Sequence, residues 1–121
     1  MRILLVEDNL MLAESLVALL ERKGVEIVHC ESTKAALEQL LGQDFDVLVS
    51  DWSLKDAKSD SLFEVVAESL PSMRRILMSG EADASYMARQ GLAQAFYLKD
   101  GKLGRCLMQE VASASAEVSP L

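Results

Sequence analysis

Asp46-Val47-Leu48-Val49-Ser50-Asp51 is the stretch on which the reading of this chain turns. Its four inner residues are apolar or small, Val47 and Val49 are β-branched, and the run is too short for a helix. Such a run reads as a central strand buried on both faces, the pattern of a parallel sheet. Asp51 closes it at the carboxyl end. In an open parallel sheet, ligands and chemistry gather at that edge, near the point where the strand order reverses. An acid placed there faces a site, and the other segments are read by what they bring to it.

Upstream, Ile3-Leu4-Leu5-Val6 is a second buried strand that ends in acids, Glu7 and Asp8. Asn9 caps a helix to about Lys23 with Leu12, Leu16, Leu19 and Leu20 as its apolar stripe, and Gly24 stops it. Val25 to Cys30 is a more polar strand, hence an edge. Ser32 or Thr33 caps the next helix, with Ala36, Leu37, Leu40 and Leu41 inward and Gly42 at its end. Downstream of Asp51, residues 52–60 form a polar loop over the strand's carboxyl end. Ser61-Leu62-Phe63-Glu64 matches a capping box, so a helix follows to about Leu70, stopped by Pro71. Ile76-Leu77-Met78 is the fourth strand, ending at Ser79-Gly80. A short helix of small residues covers about Ala82 to Gln90. Ala95-Phe96-Tyr97-Leu98 is the fifth strand, ending at Lys99. The last helix, about Lys102 to Ala116, turns Leu103, Leu107, Met108 and Val111 inward.

Five strands alternating with five helices predict a doubly wound α/β sandwich with right-handed crossovers. The polar second strand belongs at an edge and the strands ending in acids at the centre, which gives the order 2-1-3-4-5. The chain's 121 residues make one domain, with residues 1–118 as its body and 119–121 as a tail. A formal charge of −7 argues against nucleic acid as a direct partner. Cys30 and Cys106 read as reduced thiols rather than a disulfide. Arg2 is followed by only four apolar residues, so no signal peptide is expected, and no apolar run approaches membrane-spanning length. These features point to the cytoplasm.

At the carboxyl edge the first strand delivers Glu7 and Asp8, the third Asp51, the fourth the Ser79 hydroxyl and the fifth the Lys99 ammonium. Three carboxylates together repel one another and call for a cation. Hard oxygen ligands suit Mg²⁺, and there is no Cys/His cluster for zinc. A hydroxyl and an ammonium opposite the acids suit an anionic guest, and a phosphoryl group on Asp51 meets that demand.

With these residues assembled, the chain resembles a response-regulator (CheY-like) receiver domain of two-component signalling over nearly its whole length. The resemblance implies a flavodoxin/CheY-like three-layer sandwich. It implies Asp51 as phosphoacceptor, Asp8 as direct metal ligand, Glu7 as the acid holding metal through water, and the main-chain carbonyl of Ser53 as a further ligand. Ser79 is similar to the family's switch hydroxyl, Lys99 to its phosphate-binding lysine and Phe96 to its aromatic switch. The implied partners are a histidine kinase or histidine phosphotransfer protein, and a downstream protein target or a second copy. The implied chemistry is Mg²⁺-dependent self-phosphorylation and self-dephosphorylation, without enzyme activity on other molecules.

The chain also departs from the family. Asp100 stands where proline usually follows the lysine, so the Lys99–Asp100 peptide is expected to be trans. Lys55 replaces a frequent proline, and Ser59 stands in or near the place of a frequent glycine, so the loop after Asp51 is expected to take its own path. These departures support a second reading, a pseudo-receiver that binds partners without phosphorylation. A phosphatase of the haloacid-dehalogenase type would need an acid two residues after the nucleophile, where this chain has Ser53. His29 reads as an ordinary edge-strand residue and the methionines as core filler. No DNA-binding region follows the last helix, which leaves open a stand-alone regulator or one domain of a longer protein.

Overall fold

The structure, a computed structural model, describes residues 1–81 and 91–118, with side chains to residue 114. The strands are β1 (Arg2–Val6), β2 (Glu26–Cys30), β3 (Val47–Asp51), β4 (Arg74–Ser79) and β5 (Ala95–Leu98). They form one sheet in the order β2-β1-β3-β4-β5, as expected, and every pairing is parallel. The described helices are α1 (Leu10–Glu21), α2 (Thr33–Gly42), α3 (Asp60–Ser69) and α4 (Leu103–Val118). The helix expected over Ala82 to Gln90 lies outside the described residues.

Strand alternation sorts the core into two layers. Ile3, Leu5, Val47, Val49, Ile76 and Met78 pack with Ala13, Leu16 and Leu20 of α1 and with Leu103, Leu107 and Val111 of α4. Leu4, Val6, Leu48 and Leu77 pack with Ala36 of α2 and with Leu62, Phe63 and Val66 of α3. Leu48 is fully buried, and truncating such a side chain to alanine costs about 2–5 kcal/mol. β3 is buried along its whole length, whereas β2 at the edge is mostly half-buried.

Local signals act largely as expected. Asn9 Oδ1 accepts the Leu12 N–H at 3.1 Å and Ser32 Oγ accepts that of Ala35 at 3.1 Å. Gly24 follows α1 with φ +76°, the left-handed conformation that glycine adopts freely. Four details correct the sequence reading. α3 starts at Asp60 behind Ser59, so Ser61 lies inside the first turn and no capping box forms. β4 begins at Arg74, which pairs with Val47 and donates its N–H to the Asp46 carbonyl at 3.0 Å, and the buried Arg75 is satisfied by donating from Nε to the Leu92 carbonyl at 2.7 Å and from a guanidinium nitrogen to the Met73 carbonyl at 3.2 Å. Leu41 is 90 % exposed, since Thr33 and Ala36 take the core face of α2. Met73 and Met78 fill the core, but Met11 is exposed on α1.

Candidate functional site

β1 and β3 are neighbours, so their carboxyl ends bring Glu7, Asp8 and Asp51 together. One carboxylate oxygen from each lies within 4.8 Å of the others. Glu7 is fully buried, Asp51 nearly so, and Asp8 half-buried. Lys99 follows β5, where its N–H donates to the Ser79 carbonyl at 2.9 Å and so extends the ladder. From there its ammonium reaches Glu7 Oε1 at 2.5 Å and Asp51 Oδ2 at 2.9 Å. Four of the residues expected at the site therefore meet.

The electrostatics are those of an acid cluster with one cation. Burial pushes the Glu7 carboxyl up, the nearby Asp51 charge adds to this, and Lys99 and the Asn9 N–H partly offset it. Glu7 Oε2 accepts that N–H at 3.0 Å, while Oε1 is paired with the Lys99 ammonium. Burial likewise raises Asp51, with Asp8 adding to it, against the lowering effects of Lys99 and the Ser53 N–H. Burial alone would lower the Lys99 ammonium, but its contacts with Glu7 and Asp51 outweigh that and hold it above its ordinary value.

The remaining expected residues sit close by without joining the cluster. Ser79 is buried at the end of β4, and its hydroxyl accepts the Glu81 N–H at 2.9 Å. Among the described residues no hydrogen bond joins it to Asp51. Phe96 is half-buried beside Leu77 and packs on the α2–α3 side of the core. Ser53 lies two residues past Asp51, in a small hairpin.

That hairpin is the local path taken by the loop. Ser53 and Lys58 form an antiparallel bridge, closed by Leu54 N–H to the Ala57 carbonyl at 3.1 Å and Ser59 N–H to the Trp52 carbonyl at 2.9 Å. Lys58 Nζ donates to Ser53 Oγ at 3.3 Å and lies 5.8 Å from the Trp52 ring centre. At the hairpin tip, Asp56 accepts the first two N–H groups of α2, from Thr33 and Lys34, both at 3.1 Å. No glycine or asparagine marks this turn, whose tip is Lys55-Asp56.

Three further features escaped the sequence reading. His29 places Nε2 2.8 Å from the Glu7 carbonyl, so the edge strand buttresses the backbone that carries the acid pair. Tyr97 donates its hydroxyl to Glu110, which also accepts from Arg74 Nε at 2.8 Å, tying β4, β5 and α4 together. A tyrosine in an apolar strand needs a partner for its hydroxyl, and Glu110, on the helix that packs there, was the available acid. Asp100 caps α4, accepting the Lys102 N–H at 2.9 Å on its side chain and the Leu103 N–H at 3.1 Å on its carbonyl. No peptide bond among the described residues is cis, as expected for Lys99–Asp100.

A doubly wound sheet in this order, with an acid cluster and a lysine at its carboxyl edge, defines the receiver class. The family model for the response regulator receiver domain matches residues 3–99, and the chain belongs to that family. It is similar to a CheY-like receiver domain protein from Methanospirillum hungatei, with a TM-score of 0.86, 24 % identity and coverage of 96 % of this chain and 94 % of that one. It is also similar to the response regulator TrrA from Thermotoga maritima, solved in complex with Mg²⁺–BeF (TM-score 0.84, 19 % identity, 93 % and 97 % covered). A third likeness is to the non-phosphorylated HemR receiver domain from Leptospira biflexa (TM-score 0.84, 23 % identity, 99 % and 98 % covered). At these identities the structural likeness establishes the fold. No curated protein matches the sequence.

Proposed function

We propose that Asp51 accepts a phosphoryl group from a histidine kinase or histidine phosphotransfer protein, and that the modified domain switches a protein-binding surface. The observation that carries this reading is the Lys99 ammonium held between Glu7 and Asp51. In the transfer, an Asp51 oxygen bonds to phosphorus as the bond to the donor's imidazole nitrogen breaks, and the electron pair stays on that nitrogen. Lys99 then exchanges part of its contact with Asp51 for the new phosphoryl oxygens, and the Ser79 hydroxyl, an acceptor from the Glu81 N–H, turns its own O–H to donate to them. The chain is thus a phosphoacceptor, not an enzyme acting on other molecules, and it works in the cytoplasm as a receiver spanning residues 1–118.

The residues fit Mg²⁺. Three carboxylate oxygens within 4.8 Å of one another offer hard donors, and Glu7, Asp8 and Asp51 bring three acids to Lys99 as the one cation paired with them among the described residues. Asp8, Asp51 and the main-chain carbonyl of Ser53 would hold the ion directly, with Glu7 acting through water. Bound there, Mg²⁺ supplies positive charge to oxygens that gain negative charge during transfer.

The pseudo-receiver reading is favoured by one observation: the Lys99 ammonium lies closer to Glu7 Oε1, at 2.5 Å, than to Asp51 Oδ2, at 2.9 Å. Fluorine NMR with beryllium fluoride and Mg²⁺ separates the two readings. A phosphoacceptor gives a bound beryllofluoride signal that Asp51→Asn removes. A pseudo-receiver gives no bound signal in either protein.

A further inference from the structure

We propose that the groove between α2 and α3 docks a basic amphipathic helix of a partner protein. Leu37, Leu40 and Leu41 of α2 face Val65 in the middle of α3, Ser69 at its end and Leu70 just beyond it, across an open groove of about 370 Å³. Leu41 is 90 % exposed, Val65 42 % and Leu70 37 %. Three large apolar side chains sharing one groove are a patch, not the scattered exposure usual on a protein surface.

Charge selects the occupant. The exposed charged residues of the two helices are Glu38, Asp60, Glu64 and Glu68 against Lys34 alone. Glu38 stands three residues before Leu41 and Glu68 three after Val65, spacings that place each acid beside the apolar residue on its helix surface. A partner with an apolar stripe flanked by lysine or arginine satisfies both features. A second copy would instead set this acidic face against itself, and an anionic membrane would be repelled.

Each helix is ten residues long, about 15 Å, enough to seat two to three turns of a bound helix. Both walls are tied to the loop after Asp51. Asp56 caps α2, and Ser59 of the hairpin precedes α3. The docking proposal concerns the unphosphorylated protein, so its failure leaves the phosphoacceptor reading untouched.

The test uses a synthetic peptide of leucine and lysine at helical spacing, titrated into the isotope-labelled chain. Amide shifts should concentrate in residues 37–41 and 65–70. Leu41→Ser and Val65→Ser, at exposed positions that leave the fold intact, should each weaken binding about tenfold, equivalent to about 1.4 kcal/mol. Glu38→Lys with Glu68→Lys should weaken it further. Equal binding by a scrambled peptide of the same composition, or shifts centred elsewhere, would overturn the proposal. So would self-association of the free protein abolished by Leu41→Ser, which would assign the groove to a second copy, or binding to phosphatidylcholine vesicles through this face.

Discussion

Lys99 Nζ lies 2.5 Å from Glu7 Oε1, closer than to the Asp51 carboxylate at 2.9 Å. The lysine is first the counterion of a fully buried acid and only second a partner of Asp51.

Removing that cation exposes the cost of the cluster. Lys99→Met leaves Glu7 and Asp51 without their counterion, and loss of one partner of a buried ion pair costs about 2–4 kcal/mol after allowance for the partial exposure of Lys99. The loss should be smaller at acid pH, where the two carboxyls take up protons. Denaturant melts of the variant at pH 5 and pH 8 check this. An equal loss at both values would contradict it.

The pH dependence of the unmodified chain has a definite sign. Burial raises Glu7 and Asp51 from their ordinary values, so the native state holds their protons more tightly than the unfolded chain. Their contribution is present below the ordinary range, near pH 4, and is lost as pH rises through the raised native values. Lys99 is raised as well, so its contribution persists through neutral pH and fades only as pH climbs through its native value. Asp51→Asn should flatten the acid limb and raise the metal-free melting temperature by roughly 3–5 °C for about 1 kcal/mol. A lower melting temperature for Asp51→Asn would contradict the crowding account.

Mg²⁺ should relieve the same crowding. At tenfold excess over its dissociation constant it adds about 1.4 kcal/mol of stability. Trp52 is buried beside Asp51 and is the one tryptophan of the chain, so its fluorescence should follow the titration. Asp8→Asn should weaken binding more than Glu7→Gln, because Glu7 already spends one oxygen on Lys99 and the other on the Asn9 N–H. Unchanged melting and fluorescence at millimolar Mg²⁺ would remove the metal from the account.

Much of the site could be read from residue order because each strand of a parallel sheet ends at the same edge. Asp8, Asp51 and Lys99 needed only correct strand assignment to be brought together. The hairpin was not legible, since the Ser53–Lys58 bridge depends on backbone pairing that Lys55-Asp56 does not announce. Leu41 was misplaced because Ala36, Leu37, Leu40 and Leu41 span a wider arc than the core face of a ten-residue helix can bury. Ser61 looked like a cap by spacing alone, but Ser59 N–H pairs with the Trp52 carbonyl and starts α3 earlier. Asp100 looked like a charge beside the phosphoryl site, and its role in capping α4 appeared only with the backbone.

Switching should be partial. Phe96 lacks a hydroxyl to hold an outward position, and its neighbour Tyr97 is fastened through Glu110 to Arg74 and α4. Beryllofluoride with Mg²⁺ should therefore shift the amides of residues 91–102 only part of the way to a second state. Tyr97→Phe should carry them further by releasing β5. Full conversion of the unmodified chain, or a Tyr97→Phe response identical to it, would contradict this restraint.

Intact-mass spectrometry after incubation with acetyl phosphate tests the central claim most directly. The expected result is one added phosphoryl mass, dependent on Mg²⁺, lost on Asp51→Asn and sharply reduced on Lys99→Ala. No added mass on the unmodified chain, or full labelling of Asp51→Asn, would contradict it.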